Sequence, residues 1–239
     1  MLLDAHTHIA EVSPCSRVPA EKFIDICIAD KIDAIVLTNH YKASAVRGEF
    51  SAWREKYVDE YEKTRELGAK KGLKVFFGVE FTLDENHRND YTVYGLPMDV
   101  IRKSDPLYTM TLPELSAFVH GYDALLYHAH PYRNTTPADG TLLDGTEVNC
   151  HPLYRGCREK DVRAFADRYG LRLSCGSDYH GDTYKPHCGM IVPDSLETTE
   201  DFVAFLKAVP RPPLVVTPDP TPDMDISPGT GKPPFSYYG

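Results

Sequence analysis

An α/β fold built on a mostly parallel sheet, either open or closed into a barrel, is what the sequence predicts. Three observations point to it. Short apolar runs rich in β-branched and aromatic residues alternate with helical patterns along most of the chain. The 239 residues suit one large domain and fall short of two ordinary ones. Hydrophobic residues make up 42% of the chain, enough for a full core. Alternation sustained over this length is the pattern of parallel strands joined by crossover helices.

The predicted strands are 33–38 (DAIVLT), 74–82 (KVFFGVEFT), 91–95, 123–130 (DALLYHAH), 146–149 and 171–175. The helix over 19–32 opens on Pro19, a first-turn residue, and sets Phe23, Cys27 and Ile28 on one face. A second helix over 49–73 carries Trp53, Tyr57 and Tyr61 at steps of four, a core-facing stripe, and ends near Gly72. Thr111-Leu112-Pro113-Glu114 is a capping box and starts a helix that runs to 122. Helices over 159–169 and 198–209 complete the set. Residues 1–209 form the expected domain. From Pro210 to Gly239 a Pro-rich stretch excludes helix and central strand, and is read as an extended tail wrapping the body.

Acidic residues outnumber basic ones, giving a formal charge of −9, which argues against duplex nucleic acid or an anionic membrane as the main partner. A small anionic substrate remains compatible, because bound metal reverses the local field. The sequence shows no secretory leader and no membrane-length apolar run, so a cytosolic protein is expected. Six cysteines lie scattered without a CxxC pair and read as reduced thiols.

The chemistry-bearing residues gather in short segments at or just beyond predicted strand ends. These are Asp4-Ala5-His6-Thr7-His8, Thr38-Asn39-His40-Tyr41, Gly78-Val79-Glu80-Phe81, His128-Ala129-His130-Pro131 and Gly176-Ser177-Asp178-Tyr179-His180. Residues i and i+2 of a strand point the same way, so His6 projects with His8, His128 with His130, and Asp178 with His180. Glu80 shares a face with Gly78, whose missing side chain leaves room for an ion. One His-x-His pair is unremarkable in a chain with 10 histidines. The weight lies in the coincidence: a parallel sheet brings successive carboxyl ends to one rim, where chemistry collects. Imidazole with carboxylate suits Zn²⁺, Mn²⁺ or Fe better than Mg²⁺ or Ca²⁺.

In order and spacing, DAHTH, LTNHY, GVEF, YHAHPYR and CGSDYH resemble the motifs of the PHP (polymerase and histidinol phosphatase) superfamily, over residues 1–192 or so. The resemblance implies a distorted (β/α)7 TIM-like barrel, two or three divalent metals, and hydrolysis of phosphoesters. By position, it implies that His6, His8, Glu80 and Asp178 hold one metal. Glu80 would bridge to a second held with His130, and His40 and His180 would serve a third. The chain departs from the family pattern at Ser13-Pro14-Cys15-Ser16, where an acid or His is common, and at Asn39, where Asp is common. It also lacks a His in Tyr91-Thr92-Val93-Tyr94. Cys15 is then a candidate thiolate ligand or an ordinary buried thiol.

The implied reaction is attack on a small phosphate monoester by metal-activated water. His180 or His40 would protonate the leaving alkoxide. Arg133, and after it Arg17, are the candidates to grip phosphate oxygens. Two rival readings stand beside this one. An amidohydrolase-type barrel, which also begins with His-x-His, would cleave amides, lactones or DNA ends. A degenerate barrel would bind metal or ligand in a regulatory role without turnover. His87, His120 and His187 read as surface histidines. His128 and His151 stay open between site and support, and Tyr41 between substrate contact and packing.

Overall fold

The computed structural model describes residues 1–133, 137–152, 158–181 and 184–216. In chain order the elements are β1 (Leu2–Thr7), α1 (Ala20–Ala29), β2 (Ala34–Leu37), β3 (His40–Tyr41), α2 (Phe50–Lys71), β4 (Lys74–Thr82), β5 (Asp90–Tyr94), α3 (Met98–Lys103) and α4 (Leu112–His120). There follow β6 (Leu125–Ala129), β7 (Gly145–Asn149), α5 (Glu159–Tyr169), β8 (Arg172–Gly176), β9 (Gly189–Ile191), α6 (Thr199–Ala208) and β10 (Leu214–Val215).

The sheet runs β10-β9-β1-β2-β4-β5-β6-β7-β8, with the short β3 paired to β4. It curls until β8 comes back to β1. The segment after β8 meets the end of β1 through a parallel bridge between Thr7 and Tyr179, and the Asp178 amide donates to the His6 carbonyl at 2.9 Å. The start of β1 pairs instead with β9, Leu3 facing Met190. β9 is therefore a wedge in the seam, and the result is a nearly closed, distorted TIM-like barrel. Four strands are missing from the set read off the sequence: β1, whose apolar run is cut by Asp4 after three residues, and β3, β9 and β10, each too brief to register as an apolar run.

Two strands depart from the parallel pattern: β9, antiparallel to β1 and β10, and β5, inside the sheet. β5 runs antiparallel to both β4 and β6, whereas β1, β2, β4, β6, β7 and β8 share one direction. The connection over 83–89 explains it. A crossover to a parallel neighbour needs a dozen or more residues, and this one is short enough only for a hairpin.

The five helices read from the sequence form, with α3 in addition, but the buried face of α1 is Phe23, Ile24 and Cys27, and Ile28, expected on it, is exposed. α2 stops at Gly72, which takes the left-handed conformation (φ 86°) that a side chain would oppose. At α4 the Glu114 carboxylate accepts from the Thr111 amide at 2.8 Å, the reciprocal half of a capping box. Trp53, Tyr57 and Tyr61 are buried. Tyr41 packs among Trp53, Tyr57 and Phe81, so its ring is core rather than site. Phe202 of α6 stacks on Phe76 and meets Tyr94 edge-on, filling the barrel at the end opposite the mouth.

The start of the Pro-rich stretch joins the sheet: β10 pairs antiparallel with β9 at the sheet edge, where proline neighbours are tolerated. Residues 217–239, the rest of the expected tail, lie outside the described residues. Among the described residues no helix is long and apolar enough to cross a membrane.

Candidate metal centre

At the carboxyl end of the barrel the histidines and acids predicted from separate motifs meet. His6 Nε2 lies 3.0 Å from His8 Nε2, 3.3 Å from Glu80 Oε1 and 3.4 Å from Asp178 Oδ1. His8 Nε2 is 3.0 Å from Asp178 Oδ1 and 3.5 Å from Glu80 Oε2. Glu80 extends the group in both directions: its Oε1 is 3.0 Å from His130 Nε2 and its Oε2 2.5 Å from His40 Nδ1. His40 and His180 face each other, Nε2 to Nε2, at 3.3 Å. All of these side chains are buried.

Local backbone explains how the acids and rings reach one point. His6 leaves β1 toward the barrel interior, and the i+2 rule carries His8 to the same side. Alternation does not account for His130 and Asp178. Both have positive φ, 32° and 50°, a conformation that costs a non-glycine residue about 1–3 kcal/mol and collects at functional sites. That turn separates His130 from His128. The His128 ring stacks on Tyr91 and meets Phe165 of α5, so it belongs to the sheet–helix interface. Burial pushes its pKa down to about 3.

The expectation for Gly78 needs correction. A Cβ there would lie 2.8 Å from Thr38 Cγ2 and from Val36 Cγ1, so the missing side chain makes room for interior packing, not for an ion. Gly176 is the glycine the site requires: a Cβ would come within 2.4 Å of His6 Cβ and 2.8 Å of Glu147 Oε1.

Two acids at the site carry no sequence motif. Glu147 of β7 sits behind His6, with both carboxylate oxygens 3.0 Å from His6 Nδ1. It also accepts from the His130 amide at 3.0 Å and the Asn149 side chain at 3.1 Å. Asp90 opens β5 and lies 3.7 Å from His130 Nε2, beside Glu80. It pairs with the Arg133 guanidinium, whose charge holds the Asp90 carboxyl below the usual range against the opposing effect of burial. The signal for Asp90 was strand direction: a reversed strand presents its first residue, not its last, at the mouth.

The departures from the family pattern acquire structural reasons. Asn39 Oδ1 accepts from the Ile9 amide and from the Ser13 hydroxyl, both at 3.0 Å, and so fastens the loop after β1. Ser13 in turn lies 3.3 Å from His8 Nδ1 and accepts from the His40 amide at 3.1 Å. Cys15 interacts with His40 and His180. Burial pushes its thiol up, but the charges and hydrogen bonds of those two rings outweigh that and bring it to about 5. His151 is buried with its ring 6.1 Å from that of His180, at the edge of the same pocket. Arg133 stands at the rim with 28% of its side chain exposed. Arg17 is tied to the rim by its backbone, which donates to the His180 carbonyl at 2.8 Å, while its side chain is exposed. His87 and His187 are exposed, and His120 pairs with Asp144 on the surface.

The donor set fits divalent cations. With Nδ1 of His6 directed at Glu147, its Nε2 faces the mouth, opposite the His8 nitrogen. Glu80 Oε2 and His40 Nδ1 lie 2.5 Å apart without the geometry of a hydrogen bond. Imidazole nitrogens and carboxylate oxygens crowded at common points are what a cation cluster uses. The triads His6/His8/Glu80, His6/His130/Asp178, Glu80/Asp90/His130 and His8/His40/His180 each bring their donor atoms within 4.8 Å of one another. Nitrogen with carboxylate oxygen suits Zn²⁺, Mn²⁺ or Fe.

Fold and donors together define an α/β barrel whose mouth carries several overlapping candidate metal-binding groups. Solved structures of the same fold include PsfC from Pseudomonas syringae, 20% identical, with a TM-score of 0.65 over 91% of this chain and 91% of that one. A Bifidobacterium adolescentis protein named as a metal-dependent phosphoesterase is 14% identical, with a TM-score of 0.53 over 86% of this chain and 95% of that one. An amidohydrolase from Chromobacterium violaceum, with bound sulfate and no metal, is 15% identical, with a TM-score of 0.54 over 85% and 96%. No family model and no curated protein matches the sequence.

Proposed function

We propose that this chain is a metal-dependent phosphoesterase that hydrolyses a small phosphate monoester, histidinol phosphate and nucleotides being the natural first substrates to try. One observation carries the reading: Glu80 stands at the centre of a buried cluster, within 3.5 Å of His6, His8, His40 and His130. A carboxylate so placed is suited to bridging two cations. Divalent ions held there would acidify a water and neutralise the phosphoryl oxygens.

The chain's own residues have separable tasks. His6, His8, Glu80 and Asp178 are assigned to one cation, Glu80, His130 and Asp90 to a second, and His40 with His180 to a third. Glu147 fixes the His6 ring, and Asp90 fixes Arg133, whose partly exposed guanidinium is the first candidate to grip phosphate oxygens. Arg17 is the weaker candidate for that task, since its side chain is exposed. His180 donates from Nδ1 to the Asp178 carbonyl at 2.8 Å, which leaves Nε2 toward the pocket. Where no third cation occupies them, it or His40 would deliver a proton to the leaving alkoxide.

An amidohydrolase-type reaction is the second reading, supported by the likeness in fold to the Chromobacterium violaceum protein. The arrangement after β8 favours the first: Asp178 and His180 both turn into the cluster, so the Asp does not act alone. The test is purified protein loaded with Mn²⁺ or Zn²⁺, assayed against phosphate monoesters, amides and lactones. Metal-dependent phosphate release is the expected result. Cleavage of amides or lactones without phosphate release would replace this reading by the second. No turnover of any substrate with metal bound would favour a regulatory binder.

A further inference from the structure

A second cluster lies outside the mouth. Cys150 follows β7, Cys175 is in β8 and Cys188 precedes β9, so residues distant in sequence converge where β7, β8 and β9 lie side by side. The Cys150 and Cys175 sulfurs are 3.9 Å apart, and all three sulfurs lie within 4.8 Å of one another. Cys150 is 7% exposed, and Cys175 and Cys188 are fully buried.

The cluster faces away from the catalytic mouth. Gly176, next to Cys175, abuts His6 and Glu147 inside the barrel. Alternation along β8 then turns Cys175 outward, toward β9 and β10. There its sulfur also meets the Val215 carbonyl at 3.5 Å. The neighbouring charges are a buried ion pair: Lys185, its side chain 2% exposed, pairs with Asp4 at 3.0 Å, and both lie close to Cys188. Asp4 is in turn engaged by the Ser177 hydroxyl and amide at 2.6 and 2.9 Å.

We propose that Cys150, Cys175 and Cys188 form a structural site for a thiophilic d¹⁰ cation such as Zn²⁺, separate from the hydrolytic centre. Two thiolates on one tetrahedral zinc at about 2.3 Å stand about 3.8 Å apart, close to the spacing here and far beyond bonded sulfur. The Val215 carbonyl or a water completes the shell. The ion would staple β7, β8 and β9 at the seam where β8 and β1 lack a full ladder, and so brace the segment that carries Asp178.

The rival explanation is three small apolar side chains that happen to pack together. The experiment loads the full chain, in a Cys15→Ser background, with Co²⁺ or with Zn²⁺. A thiolate-to-cobalt charge-transfer band is expected in that protein. The zinc equivalent responsible should survive His8→Ala and disappear in Cys188→Ser. Absence of the band, or equal zinc content with and without Cys188, overturns the proposal. Should Cys188→Ser not fold, thiol reactivity of the zinc-loaded Cys15→Ser protein decides. Protection of three cysteines that a chelator removes supports the site, and protection unchanged by chelator refutes it.

Discussion

Glu147 holds the His6 ring from behind, each carboxylate oxygen 3.0 Å from Nδ1, and thereby decides which nitrogen looks into the mouth. Partners of this kind raise the basicity of a ligating imidazole and fix its orientation. Glu147→Gln should keep the barrel and weaken metal affinity by roughly 10–100-fold. Competition against a calibrated chelator measures it, with circular dichroism as the control for folding. Unchanged affinity would show that the contact is packing alone.

Metal uptake should release protons. Burial favours the neutral His6 ring, but Glu147, Asp178 and Glu80 outweigh it and raise its pKa well above the ordinary imidazole value. In the metal-free protein His6 therefore keeps a proton at neutral pH that a cation must displace. Affinity rises with pH until that proton is gone, and falls as the medium becomes acidic. Calorimetry in buffers of different ionisation enthalpy reads the released protons directly. A buffer-independent heat at neutral pH would contradict the assignment.

Asp90→Asn tests the residue at the start of β5. Its removal as an anion leaves the Arg133 guanidinium without that partner and takes one donor from the Glu80/Asp90/His130 group. Metal content should fall by one equivalent while the His6/His8/Asp178 group still binds, and turnover should drop by roughly 10–100-fold. Elemental analysis beside an activity assay separates the two effects. Full metal content with full activity would remove Asp90 from the site.

His128 predicts an acid limb in stability. Its folded pKa of about 3 is set first by burial, while the unfolded value is about 6.5. Between those values the unfolded chain binds a proton that the folded chain refuses, so stability is complete above pH 6.5 and declines as pH falls toward 3, by up to about 1.4 kcal/mol per pH unit. His128→Phe, between the Tyr91 and Phe165 rings, should flatten this limb. Urea unfolding from pH 7 to 4 compares the two proteins, and identical slopes would exclude His128 as the source.

Much of this architecture is legible in the sequence, because periodicity and capping are local. The β4 and α5 spans are read with the right ends, and the Thr111 box and the Gly72 cap behave as their chemistry requires. The motif residues His6, His8, His40, Glu80, His130, Asp178 and His180 lie close together, since carboxyl ends of neighbouring strands share a rim. What is not legible depends on direction or distance. Asp90 was hidden because β5 reverses. Glu147 was hidden because a lone acid in a strand has no partner until β7 lies beside β1. The cysteine cluster was hidden because sequence spacing says nothing about strands joined only by the sheet.

The reversal of β5 has a consequence for how such a mouth could change. The segments that follow β1, β3 and β7 feed helices, so lengthening one of them shifts a packed element. The 83–89 hairpin feeds none, and it stands next to Asp90 and Glu80. Insertion or deletion there can thus reshape the mouth, as on a detachable lip, with the clustered histidines and acids and the helical jacket left in place.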